Sequence, residues 1–290
     1  MNKSTFLAFL EEPVLPRKRL EIPPAINFGL EIEIEGVDFD TVKRLIRNTT
    51  KNTWHVEGEI SLSEKGAEVV SPVLQNREAT WELVKKVSKT LHFLKPIFED
   101  CSFQVNYDMD ILKDEKSILN FVKLFMAYED VLYFFSRGKD ENIRKSAGLY
   151  AGPIAKKVYQ NGNIERDLSL SDFAFLKQNK FFALSLKEKE IIEFRTPNGT
   201  DDFVLWQNYI MTFYSMLAYA NHATYDIQKI NQYLKTPFSF YANLEIESLF
   251  AKIIEFAAMI FPSELDQLYF LRQCTLGNRE EIKTYLKKVS

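Results

Sequence analysis

Three glutamates occupy alternate positions in Phe28-Gly29-Leu30-Glu31-Ile32-Glu33-Ile34-Glu35. Side chains alternate faces along a strand, so Glu31, Glu33 and Glu35 share one face and Leu30, Ile32 and Ile34 the other. Neighbours on that face stand roughly 6.5–7 Å apart. The pattern alone allows a half-buried strand with a wet outer face. It also allows a carboxylate row that holds cations, because hard divalent ions such as Mg2+ take oxygen ligands and often bridge to phosphate. Glu68 is a lone acid in Ala67-Glu68-Val69-Val70. It either points to solvent from an edge strand or needs a partner or a metal to offset its desolvation. Ile191-Ile192-Glu193-Phe194-Arg195 sets Glu193 and Arg195 on one face. A plain salt bridge accounts for that pair. The chemical alternative gives Glu193 a metal and Arg195 a phosphate, which a planar guanidinium can grip with two hydrogen bonds. Gln104, Asn106 and Asp108 alternate with Phe103, Val105 and Tyr107 in a fourth such segment.

Four strands, each with an apolar and an oxygen-rich face, point to one sheet with helices on its apolar side and a cleft on its polar side. The positioning elements are legible. Strands are expected at 28–35, 54–62, 67–71, 102–108, 181–186 and 190–196, with Pro72 ending the third. Helices are expected at 38–49, capped by Asp38 or Asp40, and at 77–94, 115–135 and 202–221, with helix throughout the remainder. The polar stretch 137–170 reads as a loop region long enough to carry function. Strands before residue 197 and helices after it make an α+β chain: an N-terminal arm over 1–25, a sheet-bearing domain over 26–221 and a helical C-terminal extension over 222–290.

Composition narrows the function. A formal net charge of -3 leaves no broad basic field for nucleic acid. The basic cluster Arg17, Lys18 and Arg19 reads as a short solvated arm. Cys101 and Cys274 stand far apart, as reduced thiols do, and no Cys/His spacing suits zinc. The opening apolar run is too short for a signal peptide, and no window approaches a membrane span. A soluble cytoplasmic protein with no membrane partner is expected. The apolar helix at 246–261 is expected to bury itself on the sheet domain or on a second subunit, as in a homo-oligomer.

The ordered set of motifs resembles the amidoligase family. Phe28-Gly29-Leu30-Glu31-Ile32-Glu33 is similar to its F-G-x-E-x-E opening. Trp54, Glu59-Ile60-Ser61-Leu62 and Gly66-Ala67-Glu68-Val69-Val70-Ser71-Pro72 resemble its W…D-x-S-[IL]…G-x-E-[VI]-V-S-P stretch. Cys101 to Asp108 falls at C-G-x-H-V-H-[VI]-D, Arg144 with Tyr150-Ala151-Gly152-Pro153 at R…Y-x-x-P, and Glu193-Phe194-Arg195 with Asn198-Gly199-Thr200 at E-F-R…N-G-T. The resemblance covers about residues 27–210.

It implies an antiparallel glutamine-synthetase-like sheet with a metal- and nucleotide-binding face. It implies an ATP- and Mg2+-dependent ligase that joins a carboxylate to an amine through an acyl phosphate. The carboxylate is left open among a free amino acid, a peptide and a protein, with specificity expected from Arg137 to Leu170. Carried over by residue, Glu31, Glu33, Glu68 and Glu193 would hold magnesium. Arg195 and Arg144 would contact phosphates or the acyl phosphate. Glu59, where the family has Asp, would bind metal or orient the amine. Gln104 and Asn106 stand where the family has histidines, and Ser102 where it has glycine. Amide oxygens can ligate magnesium but cannot titrate near neutrality. Two alternatives stay open: a catalytically impaired relative that binds nucleotide or protein, and a guanidino phosphotransferase using Cys101.

Overall fold

The strand alternation becomes one open antiparallel sheet. The computed structural model describes residues 15–58, 66–140, 142–159, 166–177, 181–187, 190–223, 227–234 and 246–276, with Ala8 and Leu62. The strands are β1 (Asn27–Glu35), β2 (His55–Glu57), β3 (Gly66–Val70), β4 (Leu74–Gln75), β5 (Phe103–Asp108), β6 (Leu184–Lys187) and β7 (Ile191–Phe194). Their spatial order is β2-β3-β1-β5-β7-β6, with β4 paired to the start of β1.

β3 and β4 share one edge of β1, and Ser71-Pro72 explains how. Ser71 N–H donates to Leu30 O at 2.9 Å, and the Ser71 hydroxyl accepts from Leu30 N–H at 2.8 Å. The serine carries the ladder one step further, and Pro72, which has no N–H, lets the chain leave. Gly36 ends β1 with φ of 75°, and a Cβ there would meet the Ile97 side chain at 2.9 Å.

The helices are α1 (Phe39–Thr50), α2 (Glu78–Leu94), α3 (Glu115–Ala127), α4 (Glu129–Ser136), α5 (Ala147–Tyr150), α6 (Ile154–Tyr159), α7 (Phe203–Ala220), α8 (Ile227–Leu234), α9 (Ile246–Ile260) and α10 (Glu264–Thr275). Asp38, rather than Asp40, caps α1 by accepting from Thr41 N–H at 2.9 Å. The single helix expected over 115–135 is two, broken at Tyr128 with φ of −114°. Apolar spacing runs through the break because both helices bury most of their side chains, so periodicity gives no warning of it. The expected loop over 137–170 contains α5 and α6, too short to show a period.

The apolar side of the sheet rests on α2, α3 and α7. Phe28 stacks on Trp81 at 5.7 Å, Phe103 on Trp206 at 5.4 Å, and Phe194 on Phe213 at 4.1 Å and 9°. Burying each such ring contributes about 1.5–3 kcal/mol. Helix α7 is buried nearly all round because α10 covers the side the sheet leaves open. Phe135 and Phe256 both pack on Phe270 of α10, at 4.7 and 5.4 Å.

Arg17 departs from the solvated arm expected of its cluster. Its guanidinium pairs with Asp266 and donates to Asn208 Oδ1 at 3.1 Å, and its N–H donates to Gln207 Oε1 at 2.8 Å. It also lies 4.4 Å over the Tyr269 ring, so it pins the N-terminal segment to α7 and α10. Among the described residues, no helix is long and apolar enough to cross a membrane.

Candidate active site

Directly paired residues of an antiparallel ladder point the same way, so register assembles the site. Glu33 faces Glu68, Glu31 faces Gln104, and Asn106 faces Glu193. The polar face they form floors a pocket of about 280 Å³. Glu31, Glu33, Glu68, Glu193, Gln104, Arg144 and Arg195 all line it. Asn106 stands beside it and donates to Glu31 Oε1 at 2.6 Å. Glu59 lies outside the described residues.

Each carboxylate has a distinct setting. Glu33 accepts from Ser102 N–H at 2.6 Å, so the serine serves it through the main chain. Glu193 is fully buried and lies between two cations, Lys187 Nζ at 2.5 Å and Arg195 Nη1 at 3.1 Å. Arg195 Nη1 also donates to Gln104 Oε1 at 2.9 Å, and its Nε donates to Tyr150 O at 3.0 Å. Gln104 therefore holds the guanidinium with its oxygen and turns its nitrogen toward Ser102 Oγ at 3.2 Å.

Lys187 joins the site although Lys187-Glu188-Lys189 reads as a turn. It is the last residue of β6, and its ammonium also stands 4.0 Å from Glu31 Oε1. The sequence carries a signal for it: Ser185 and Lys187 alternate with Leu184 and Leu186, which puts Lys187 on the polar face. Tyr150, part of the Y-x-x-P segment, and Phe181 also line the pocket, although the sequence assigned neither of them a role.

Arg144 lines the pocket and also makes a structural grip: Nη1 donates to Thr196 O at 3.0 Å and Pro197 O at 2.7 Å, and Nη2 to Arg195 O at 2.7 Å. Asn198 completes the clamp by accepting from Arg144 N–H at 3.0 Å and donating to Asp140 Oδ2 at 2.9 Å. Burial lowers the Arg144 pKa to about 10, so it stays charged at neutrality. The arginine thus fixes the main chain that aims Arg195.

Burial raises the Glu31 carboxyl above the ordinary range, and Glu193 pushes it further, against Lys187 and Asn106. The stability Glu31 contributes is complete below its unfolded pKa of about 4.3 and is lost as pH rises through the raised value. Glu31→Gln removes that loss. With a chelator present, its gain over wild type in urea unfolding should grow as pH rises from 4 to 7. An equal gain at both pH values would contradict the assignment.

Cys101 is buried, and burial together with Glu33, Glu35 and Asp100 raises its thiol pKa. A thiolate nucleophile is disfavoured there.

Among the described residues, no set of three or more His, Cys, Asp or Glu side chains is disposed to hold a metal ion. The groups present still suit magnesium in kind. Mg2+ is usually held by one or two carboxylates together with substrate phosphates, not by an all-protein cage. Glu33 and Glu68, opposed across the ladder, form such a pair of oxygen donors. The described lining carries six acids against three bases. Asn106 Oδ1 is a buried oxygen without a hydrogen-bond partner.

Compared with protein-family models the chain matches none, and no curated protein matches it.

Proposed function

We propose that the chain is an ATP- and Mg2+-dependent ligase that forms an amide bond between a carboxylate and an amine, on a glutamine-synthetase-like sheet. One observation carries this reading: Glu31, Glu33, Glu68 and Glu193 meet Arg195 and Lys187 in a single pocket on one sheet face. The resemblance assigns those four acids to metal and Arg195 to phosphate.

Glu33 and Glu68, with Glu31 and Glu193, would hold magnesium, which when bound offsets phosphate charge and polarises the transferred phosphoryl group. Arg195 and Lys187 supply the positive charge that phosphoryl transfer to a carboxylate needs from the protein. Glu193 and Gln104 hold the Arg195 guanidinium before substrate arrives, so little reorganisation remains at the moment of reaction.

The reading is tested with ATP, Mg2+, a panel of carboxylates and hydroxylamine, which traps an activated carboxylate as a hydroxamate whatever the native amine is. A hydroxamate formed with matching ADP release is expected for at least one carboxylate class. ATP binding without either product would favour the catalytically impaired relative, and no nucleotide binding would defeat both readings.

A further inference from the structure

We propose that Lys187 is a place-holder for metal: without ligand its ammonium occupies the cation position beside Glu193, and it yields that position by following the phosphates of an arriving nucleotide. The inference rests on the magnesium and nucleotide reading above and adds an order of events, in which metal and nucleotide enter together.

Glu193 is fully buried and meets two cations that are held in different ways. Arg195 is 12% exposed and tied down. Its Nη1 reaches Glu193 Oε2 at 3.1 Å and Gln104 Oε1 at 2.9 Å, and its Nε donates to Tyr150 O at 3.0 Å. Lys187 is 39% exposed and reaches in on a flexible four-carbon stem, with Nζ 2.5 Å from Glu193 Oε1 and 4.0 Å from Glu31 Oε1. Of the two cations, the lysine is the one able to leave.

The oxygen it covers suits a metal. Glu193 Oε1 is buried without a hydrogen-bond partner, so its contact with the ammonium is one of charge alone. Asn106, the register partner of Glu193, also holds a buried oxygen, Oδ1, without a hydrogen-bond partner. Buried acceptors of this kind call for an ion or a water, and magnesium takes carboxylate and amide oxygens. An ammonium is a compact point charge that pairs with a carboxylate or a phosphate alike. While it stands on Glu193 it repels a dication approaching the same carboxylate. Phosphates offer Lys187 another anion, and its departure opens Glu193 to the metal they carry. Charge stays balanced through the exchange: Glu193 passes from ammonium to metal, and Lys187 from carboxylate to phosphate.

The test is titration of Mn2+ alone, with free Mn2+ counted by electron paramagnetic resonance, into wild type, Lys187→Met, Lys187→Gln, Lys187→Arg and the double variant Lys187→Met/Glu193→Gln. ATP with Mg2+ is titrated calorimetrically into wild type in parallel. Lys187→Met is expected to bind Mn2+ at least about tenfold tighter than wild type, because a positive charge a few ångströms from the metal is gone. Lys187→Gln should do the same, and its amide can donate to Glu193 should the Met variant fold poorly. Lys187→Arg keeps the charge and should show no gain. The double variant should lose the gain, which separates release of Glu193 from a general loss of positive charge. Mn2+ affinity that does not rise in a Met or Gln variant with cooperative urea unfolding overturns the place-holder, and so does a gain that survives loss of Glu193. Either result leaves the nucleotide reading standing where wild type binds ATP with Mg2+. Wild type that binds no ATP removes that reading, and the exchange with phosphate falls with it.

Discussion

Arg144→Ala is expected to lower the unfolding free energy by on the order of 4 kcal/mol, the largest loss from any single residue of the pocket. The side chain is 3% exposed and donates to three main-chain carbonyls within the turn Arg195–Pro197. Each hydrogen bond from a charged donor contributes about 1.5–3 kcal/mol, and although Pro197 O keeps the Phe103 N–H at 3.1 Å, Arg195 O and Thr196 O lose the arginine as donor. The contributions overlap, so the total falls short of their sum. Arg144→Lys should recover little, because a point ammonium cannot span three carbonyls as a planar fork does. Urea unfolding of both variants checks this. A loss below about 1 kcal/mol for Arg144→Ala would contradict that structural role.

Arg195→Ala is expected to do the opposite: leave stability nearly unchanged and reduce hydroxamate formation by about 10²- to 10³-fold, the usual cost of losing one preorganised donor to a developing charge. Its side chain is 12% exposed, and its partners keep other bonds, Glu193 to Lys187 and Gln104 to Ser102. Arg195→Lys should restore only part of the rate, since it cannot donate to Tyr150 O, Gln104 and phosphate together. A rate that falls in proportion to stability would make Arg195 a structural residue.

The contrast between these two arginines marks how far the sequence can be read. Period-two alternation identifies the strands around Glu31, Gln104 and Glu193 and places their polar residues on one face, because a strand has only two faces to choose from. It cannot say that Arg144 faces carbonyls, because those come from residues 195–197, and that contact depends on tertiary packing. Asn198-Gly199 reads as a turn, and its deeper reason is steric: a Cβ on Gly199 would lie 2.9 Å from Cys101 Cβ. Lys187 hides among charges that resemble a turn, although its alternation with Leu186 marks the polar face. Local composition makes Arg17 look solvated. Its partners Gln207, Asn208 and Asp266 lie some 190–249 residues away, beyond the reach of any local pattern.

The polar sheet face also explains why like charges sit together in an otherwise well-packed chain. Glu33 and Glu68 are each less than a tenth exposed and stand opposite one another. Like charges directly opposed across a ladder repel one another. On the function proposed above, magnesium would ease that repulsion and the phosphates of a nucleotide would meet Arg195 and Lys187.

The most direct test is calorimetric titration of ATP with and without Mg2+ into wild type and Glu193→Ala. Wild type is expected to bind ATP at least tenfold tighter with magnesium, a gain of about 1.4 kcal/mol or more. The variant should lose that dependence, because its pocket keeps Lys187 and Arg195 for phosphate but lacks the acid between them. Wild type that binds ATP equally well with and without Mg2+, or does not bind it, would contradict the account.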